Sequence, residues 1–211
     1  MKRVIFNDNF INILITESTL DELEKNANRK SLFKLDDTNC FYFQKYIPKS
    51  KKEHVSEKAE KDRNDLWLFK DNDGKEQKEY NWIYFTYLKN AIVFLNNNYY
   101  DELEDLTFVC VPAATKADTE RRWKKFSSEI CEKLGMINGF RHIHVVKDAV
   151  QSHYGGGGKP EVEYDKEFFK DKNVILFDDI INTGYTMTRY KKELEDLGAN
   201  VIQFLAIAKS V

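Results

Sequence analysis

Three stretches of this chain are nearly unbroken apolar runs: residues 106–111 (LTFVCV), 173–177 (NVILF) and 201–208 (VIQFLAIA). A strand with one wet face alternates apolar and polar residues, whereas a strand buried on both faces has no polar side to show. Between these runs the apolar spacing becomes helical. Trp123, Phe126, Ile130 and Leu134 line one face of residues 119–134, with Gly135 as the stop, and Met187, Tyr190, Leu194 and Leu197 line residues 186–197, stopped by Gly198. Residues 82–96 read as a buried helix and 142–146 as a further strand. Strands and helices in alternation predict an α/β fold with a parallel sheet covered on both faces.

The character of the chain changes near residue 80, which divides it into an N-terminal hood or subdomain (1–80) and a core (81–211). In the first part, Thr19 and Glu22 are spaced as a capping box, and 41–47 reads as a strand ending at Pro48. Residues 49–65 are almost wholly polar with mixed signs, as in a solvated loop or exposed helix, and 66–69 as a short strand. Residues 71–74 (DNDG) form a turn that begins like a calcium loop but lacks the closing Glu. With 33 Lys+Arg against 35 Asp+Glu, no global basic field exists to bind nucleic acid. Three scattered cysteines exclude a zinc ribbon and fit a reducing compartment, with Cys110 and Cys131 read as buried thiols. The start lacks the apolar run of a signal peptide, and no stretch is long enough to span a membrane, so a soluble cytoplasmic protein is expected.

Chemistry concentrates in residues 174–186, VILFDDIINTGYT. A buried strand delivers Asp178 and Asp179 to its C-terminal end, the edge where open α/β sheets bind ligands. The tight loop that follows, Asn182, Thr183, Gly184, Tyr185 and Thr186, leads straight into a helix. Orphan amides at that helix start favour a phosphate, and Gly184 allows a close backbone approach. The two acids suit sugar hydroxyls or Mg²⁺. A P-loop is excluded, since no G-x-x-x-x-G-K-[ST] occurs.

This run resembles the binding motif for 5-phosphoribosyl-1-pyrophosphate (PRPP) of type I phosphoribosyltransferases, with segments in the family's order over residues 82–211. The resemblance implies an enzyme of nucleotide metabolism that uses PRPP and Mg²⁺, releases pyrophosphate and transfers phosphoribosyl to a small-molecule acceptor. It makes Asp178, Asp179, Lys116 and Arg122 the catalytic group, with Asp178 and Asp179 as metal ligands. Residues 109–116 (VCVPAATK) resemble the family's pyrophosphate loop, with the small residues Ala113, Ala114 and Thr115 exposing amides to the ligand. The segment 147–159, holding His153, Tyr154 and Gly155 to Gly158, is placed like the family's mobile loop, with His153 toward substrate. A homodimer is compatible with the resemblance.

Two departures stand out. Members acting on 6-oxopurines carry an Asp where this chain has Asn182, so the general base of that chemistry is missing. The sequence closes three residues after its last strand, so recognition of the acceptor is expected to fall to residues 1–80. That arrangement is similar to the orotate and competence-associated (ComF-like) branches, without the zinc-binding cysteines of the latter. The alternatives are a PRPP- or nucleotide-binding regulatory module without turnover, and an accessory interaction protein.

Overall fold

A computed structural model describes residues 32–50, 55–70, 77–150 and 159–211. The Thr19–Glu22 box, the 71–74 turn, His153 and the tetraglycine lie outside the described residues. A six-stranded sheet has the order β1-β2-β8-β7-β3-β4. Its strands are β1 (Leu32–Leu35), β2 (Thr38–Tyr46), β3 (Leu106–Cys110), β4 (Ile137–Asn138), β7 (Asn173–Ile181) and β8 (Asn200–Ser210). Only β1 runs antiparallel to its neighbour; the other four pairings are parallel. The fold is the α/β class expected, with a mostly parallel sheet.

Both faces are covered, as the unbroken apolar runs require. Helices α1 (Glu57–Lys70), α2 (Gln77–Tyr99) and α3 (Lys116–Leu134) pack on one side, where Phe69, Trp123, Phe126 and Phe177 interlock. Phe69 lies 5.9 Å from Trp123, and Phe126 lies 5.2 Å from Phe177, distances at which ring pairs add to simple burial. Helix α5 (Tyr185–Glu195) covers the other side with Met187, Tyr190 and Leu194, joined by Phe169 of the short α4 (Lys166–Phe169). Gly135 stops α3 in the left-handed region at φ 72°, as its position predicts.

Several expectations are corrected. Residues 66–69 are the last turn of α1, not a strand: Arg63, Leu66 and Phe69 recur every third residue and bury together, a helical period that a four-residue reading cannot reveal. The strand expected at 142–146 is β5 (Ile143–Lys147), which pairs antiparallel with β6 (Glu161–Tyr164) in a separate two-stranded ribbon. Strand β6 and the short α4 follow between β5 and β7. Strand β2 pairs with β8 from Asn39 to Tyr46, and α1 shares the core of α2 and α3. All three cysteines are buried free thiols, and burial pushes that of Cys131 up to about 12. No helix among the described residues is long and apolar enough to cross a membrane.

Candidate functional site

The acids lie inside a strand rather than beyond its end. Strand β7 does not stop at Phe177; its ladder with β8 continues through Asp178↔Ala206 and Ile180↔Ala208 to Ile181↔Lys209. Both acids are consequently buried, at 9% and 5% exposure. Asp178 Oδ1 accepts a hydrogen bond from the Asp179 backbone N–H at 2.8 Å. Loss of solvent, reinforced by the charge of Asp179, pushes the Asp178 carboxyl well above the usual carboxylate range.

Asp179 is held by the protein itself. Lys70 Nζ, at the end of α1, lies 3.1 Å from its Oδ1, and Arg122 Nη1 of α3 donates to its Oδ2. Arg122 Nη2 also reaches the Lys70 carbonyl at 3.4 Å. Arg122 is thus paired with the acid in this structure. Lys70 was missed by sequence reasoning, and only its place as the last residue before a turn hints at it. It also lies 5.5 Å from the Trp67 ring, whose Nε1 donates to Tyr46 Oη at 3.2 Å. The described part of the N-terminal third therefore reaches the diacid directly.

This donor set does not fit Mg²⁺. Each oxygen of Asp179 already faces a cation, and Asp178 is disfavoured as an anion. Among the described residues no group of three or more His, Cys, Asp or Glu could hold a metal. Both oxygens of Asp179 face cations and Asp178 Oδ1 accepts the Asp179 N–H, which leaves few oxygens here for a hard cation.

The loop after β7 is open. Gly184 is the N-cap of α5 at φ 90° and supplies no side-chain cap; the Tyr185 N–H meets Thr183 Oγ1 at a long 3.4 Å, and the first amides of the helix otherwise keep the polarity that attracts an anion. Its left-handed backbone favours glycine. The close approach it permits is also to the protein: a Cβ there would meet Leu35 Cδ1 at 2.5 Å. Asn182, Thr183, Tyr185 and Thr186 are exposed around it. The Asn182 carbonyl accepts from Lys209 Nζ at 2.8 Å, and the Tyr185 hydroxyl pairs with Lys159 Nζ. Lys159 holds that hydroxyl below its ordinary pKa range. Lys209, on β8, gave no sequence signal.

The loop after β3 is closed upon itself. Thr115 caps α3 by accepting from the Asp118 N–H at 3.0 Å, the Ala113 N–H donates to Thr119 Oγ1 at 2.9 Å, and the Lys116 N–H donates to Asp148 Oδ1 at 2.8 Å. The Ala114 carbonyl accepts from Ala149. Of the small residues expected to expose their amides, Ala113 has its N–H taken by a nearby oxygen, as does the neighbouring Lys116. The Lys116 side chain is exposed. His142 has a structural role: its ring stacks on Phe168 at 3.4 Å, with Nδ1 3.0 Å from Asp165 Oδ2.

The chain matches no family model and no curated protein. Among solved structures it is similar to an adenine phosphoribosyltransferase, at 15% identity and a TM-score of 0.41 over 60% of this chain and 69% of that one. A purine phosphoribosyltransferase from Pyrococcus horikoshii Ot3 is similar at 20% identity and 0.39, over 59% and 75%. A phosphoribosylpyrophosphate synthetase from Mycobacterium smegmatis is similar at 21% identity and 0.35, over 58% of this chain and 33% of that one.

Proposed function

We propose that this protein binds PRPP in the crevice between β7 and α5 and transfers its phosphoribosyl group to a small-molecule acceptor. One observation carries the reading: a helix start without a cap of its own follows, within a few residues, a pair of buried acids at one end of a central parallel strand. Such a place accepts a phosphate on the loop and hydroxyls beside it. In this reading residues 182–186 hold the 5′-phosphate, with Lys159 and Lys209 close to the loop. A protonated Asp178 both donates to and accepts from ribose hydroxyls. The acceptor's lone pair forms the new bond at the anomeric carbon as the bond to the diphosphate oxygen breaks, and pyrophosphate leaves with the bonding pair. Positioning supplies most of the catalysis. Lys116 flanks the leaving group. Mg²⁺ belongs to this proposal as a companion of the diphosphate, not as an ion held by the diacid. Residues 1–80 read the acceptor, and a reducing cytoplasm suits the three free cysteines.

A second reading, PRPP binding without turnover, is favoured by the closed β3 loop, whose amides at Ala113 and Lys116 are already bonded. Incubation with PRPP, Mg²⁺ and a panel of bases separates the two. Pyrophosphate release selects transfer. A PRPP-dependent rise in Tm without release selects the binding module. Absence of both removes the reading.

A further inference from the structure

The open loop after β7 leans on an edge of the sheet. Leu35, the last residue of β1, packs against Gly184: a Cβ added to that glycine would stand 2.5 Å and 2.7 Å from the two Leu35 methyl carbons. Residues 184, 188 and 191 lie one above the other on α5. Lys191 Nζ, at the lower end of that row, donates to the Asp36 carbonyl at 3.0 Å. The hairpin of β1 and β2 therefore grips the face of α5 that begins at Gly184.

The hairpin is a marginal element. Strand β1 has four residues, pairs only with β2 among the described residues, and alternates exposed with half-buried positions. Its two turn residues, Asp36 and Asp37, both have positive φ, at 49° and 61°. A two-residue turn of this hand favours glycine at its second position, and an Asp there costs conformational energy that glycine would not. A short edge strand with a strained turn draws stability from what it leans on. Here that support is Leu35 on Gly184 and Lys191 on Asp36.

We propose that this hairpin is a clasp on the phosphate loop, with docked and undocked forms close in free energy, and that docking and occupancy of the loop favour one another. The proposal rests on the reading of residues 182–186 as a phosphate site and adds a means of regulating it. When docked, Leu35 fills the space beside Gly184 and restricts a residue that otherwise explores both signs of φ. The amides that open α5 then stand ready. When the hairpin leaves, the loop regains its freedom and a ligand must bear the cost of ordering it. Linkage makes the effect reciprocal: what shifts the hairpin shifts affinity, and the ligand shifts the hairpin.

Hydrogen exchange and PRPP titration on the full chain, Leu35→Ala and Asp37→Gly test this. Leu35→Ala is expected to speed exchange at residues 33–35 and 182–188 together and to weaken PRPP binding about tenfold. Asp37→Gly relieves the turn, so it should slow exchange in both segments and tighten binding about twofold. PRPP should slow exchange at 33–35 in the unaltered chain. Unchanged exchange at 182–188 when Leu35→Ala frees 33–35 overturns the clasp, and this arm needs no ligand. Should Leu35→Ala not fold, Asp37→Gly decides alone, and slower exchange confined to 33–35 overturns it. Faster or equal exchange at 33–35 in PRPP-bound protein does so too. Joint movement of the two segments in a chain that fails to bind PRPP sinks the phosphoribosyl reading and leaves the coupling of hairpin and loop standing.

Discussion

The loops after β7 and β3 leave the C-terminal ends of adjacent parallel strands, and each runs directly into a helix. Topology alone would suit both of them to an anion. They differ in what the chain already does with its amides. Ahead of α3, Thr115, Thr119 and Asp148 consume N–H groups that a ligand would need. Ahead of α5, Gly184 has no side chain to offer, and only the Tyr185 N–H meets a nearby side chain, Thr183 Oγ1, at a long 3.4 Å. A helix N-terminus at a sheet edge is thus receptive only when the protein leaves it unsatisfied. In the same way the two adjacent acids part company: Asp179 is neutralised by its own cations, while Asp178 bears the cost of burial.

The largest expected effect breaks the open loop. Gly184→Val puts a β-branched residue at φ 90° and its Cβ 2.5 Å from Leu35. Strain and clash together should cost about 2–4 kcal/mol and abolish binding to the loop. Chemical denaturation reads the first and PRPP titration the second. Adding Leu35→Ala should return the part due to the clash and none due to strain. Full recovery would show that Gly184 is there for packing alone.

The next prediction separates the acids. The folded pKa of Asp178 is raised above its unfolded value of about 4, so its penalty is absent below about pH 4 and grows as pH climbs toward the folded pKa. Asp178→Asn should therefore raise Tm at about pH 8–9, with the gain shrinking toward about pH 4. A gain independent of pH would place its origin elsewhere than in ionisation.

The smallest effect belongs to the closed loop. Thr115→Ala removes the cap of α3 and should cost about 1 kcal/mol. If it also raises affinity for inorganic pyrophosphate, self-capping is what keeps that loop from binding anions. An unchanged affinity would assign the difference between the loops to something other than their caps.

Much of this was legible beforehand. Residues 174–177 and 204–208 are buried on a sheet covered on both faces, as their lack of alternation implies, and Gly184 and Gly135 sit at left-handed positions next to helix ends. Other features were hidden because they depend on distant partners. Residues 66–69 look like a strand until Arg63 is counted in the same period. Strand β7 outruns Phe177 only because β8 continues beside it. The ribbon of β5 and β6 escaped notice because an alternating five-residue strand carries no mark of the sheet it joins.

What the sequence determined by itself is local or periodic: buried strands, amphipathic helices, a glycine where the backbone must turn left-handed, and two carboxylates in front of it. Which charge answers which carboxylate was decided only by the tertiary structure. Lys70, Arg122 and Asp179 meet because α1 and α3 pack on the same face of β7. Ion pairing depends on distance through space and on the exclusion of water, and neither is written along the chain.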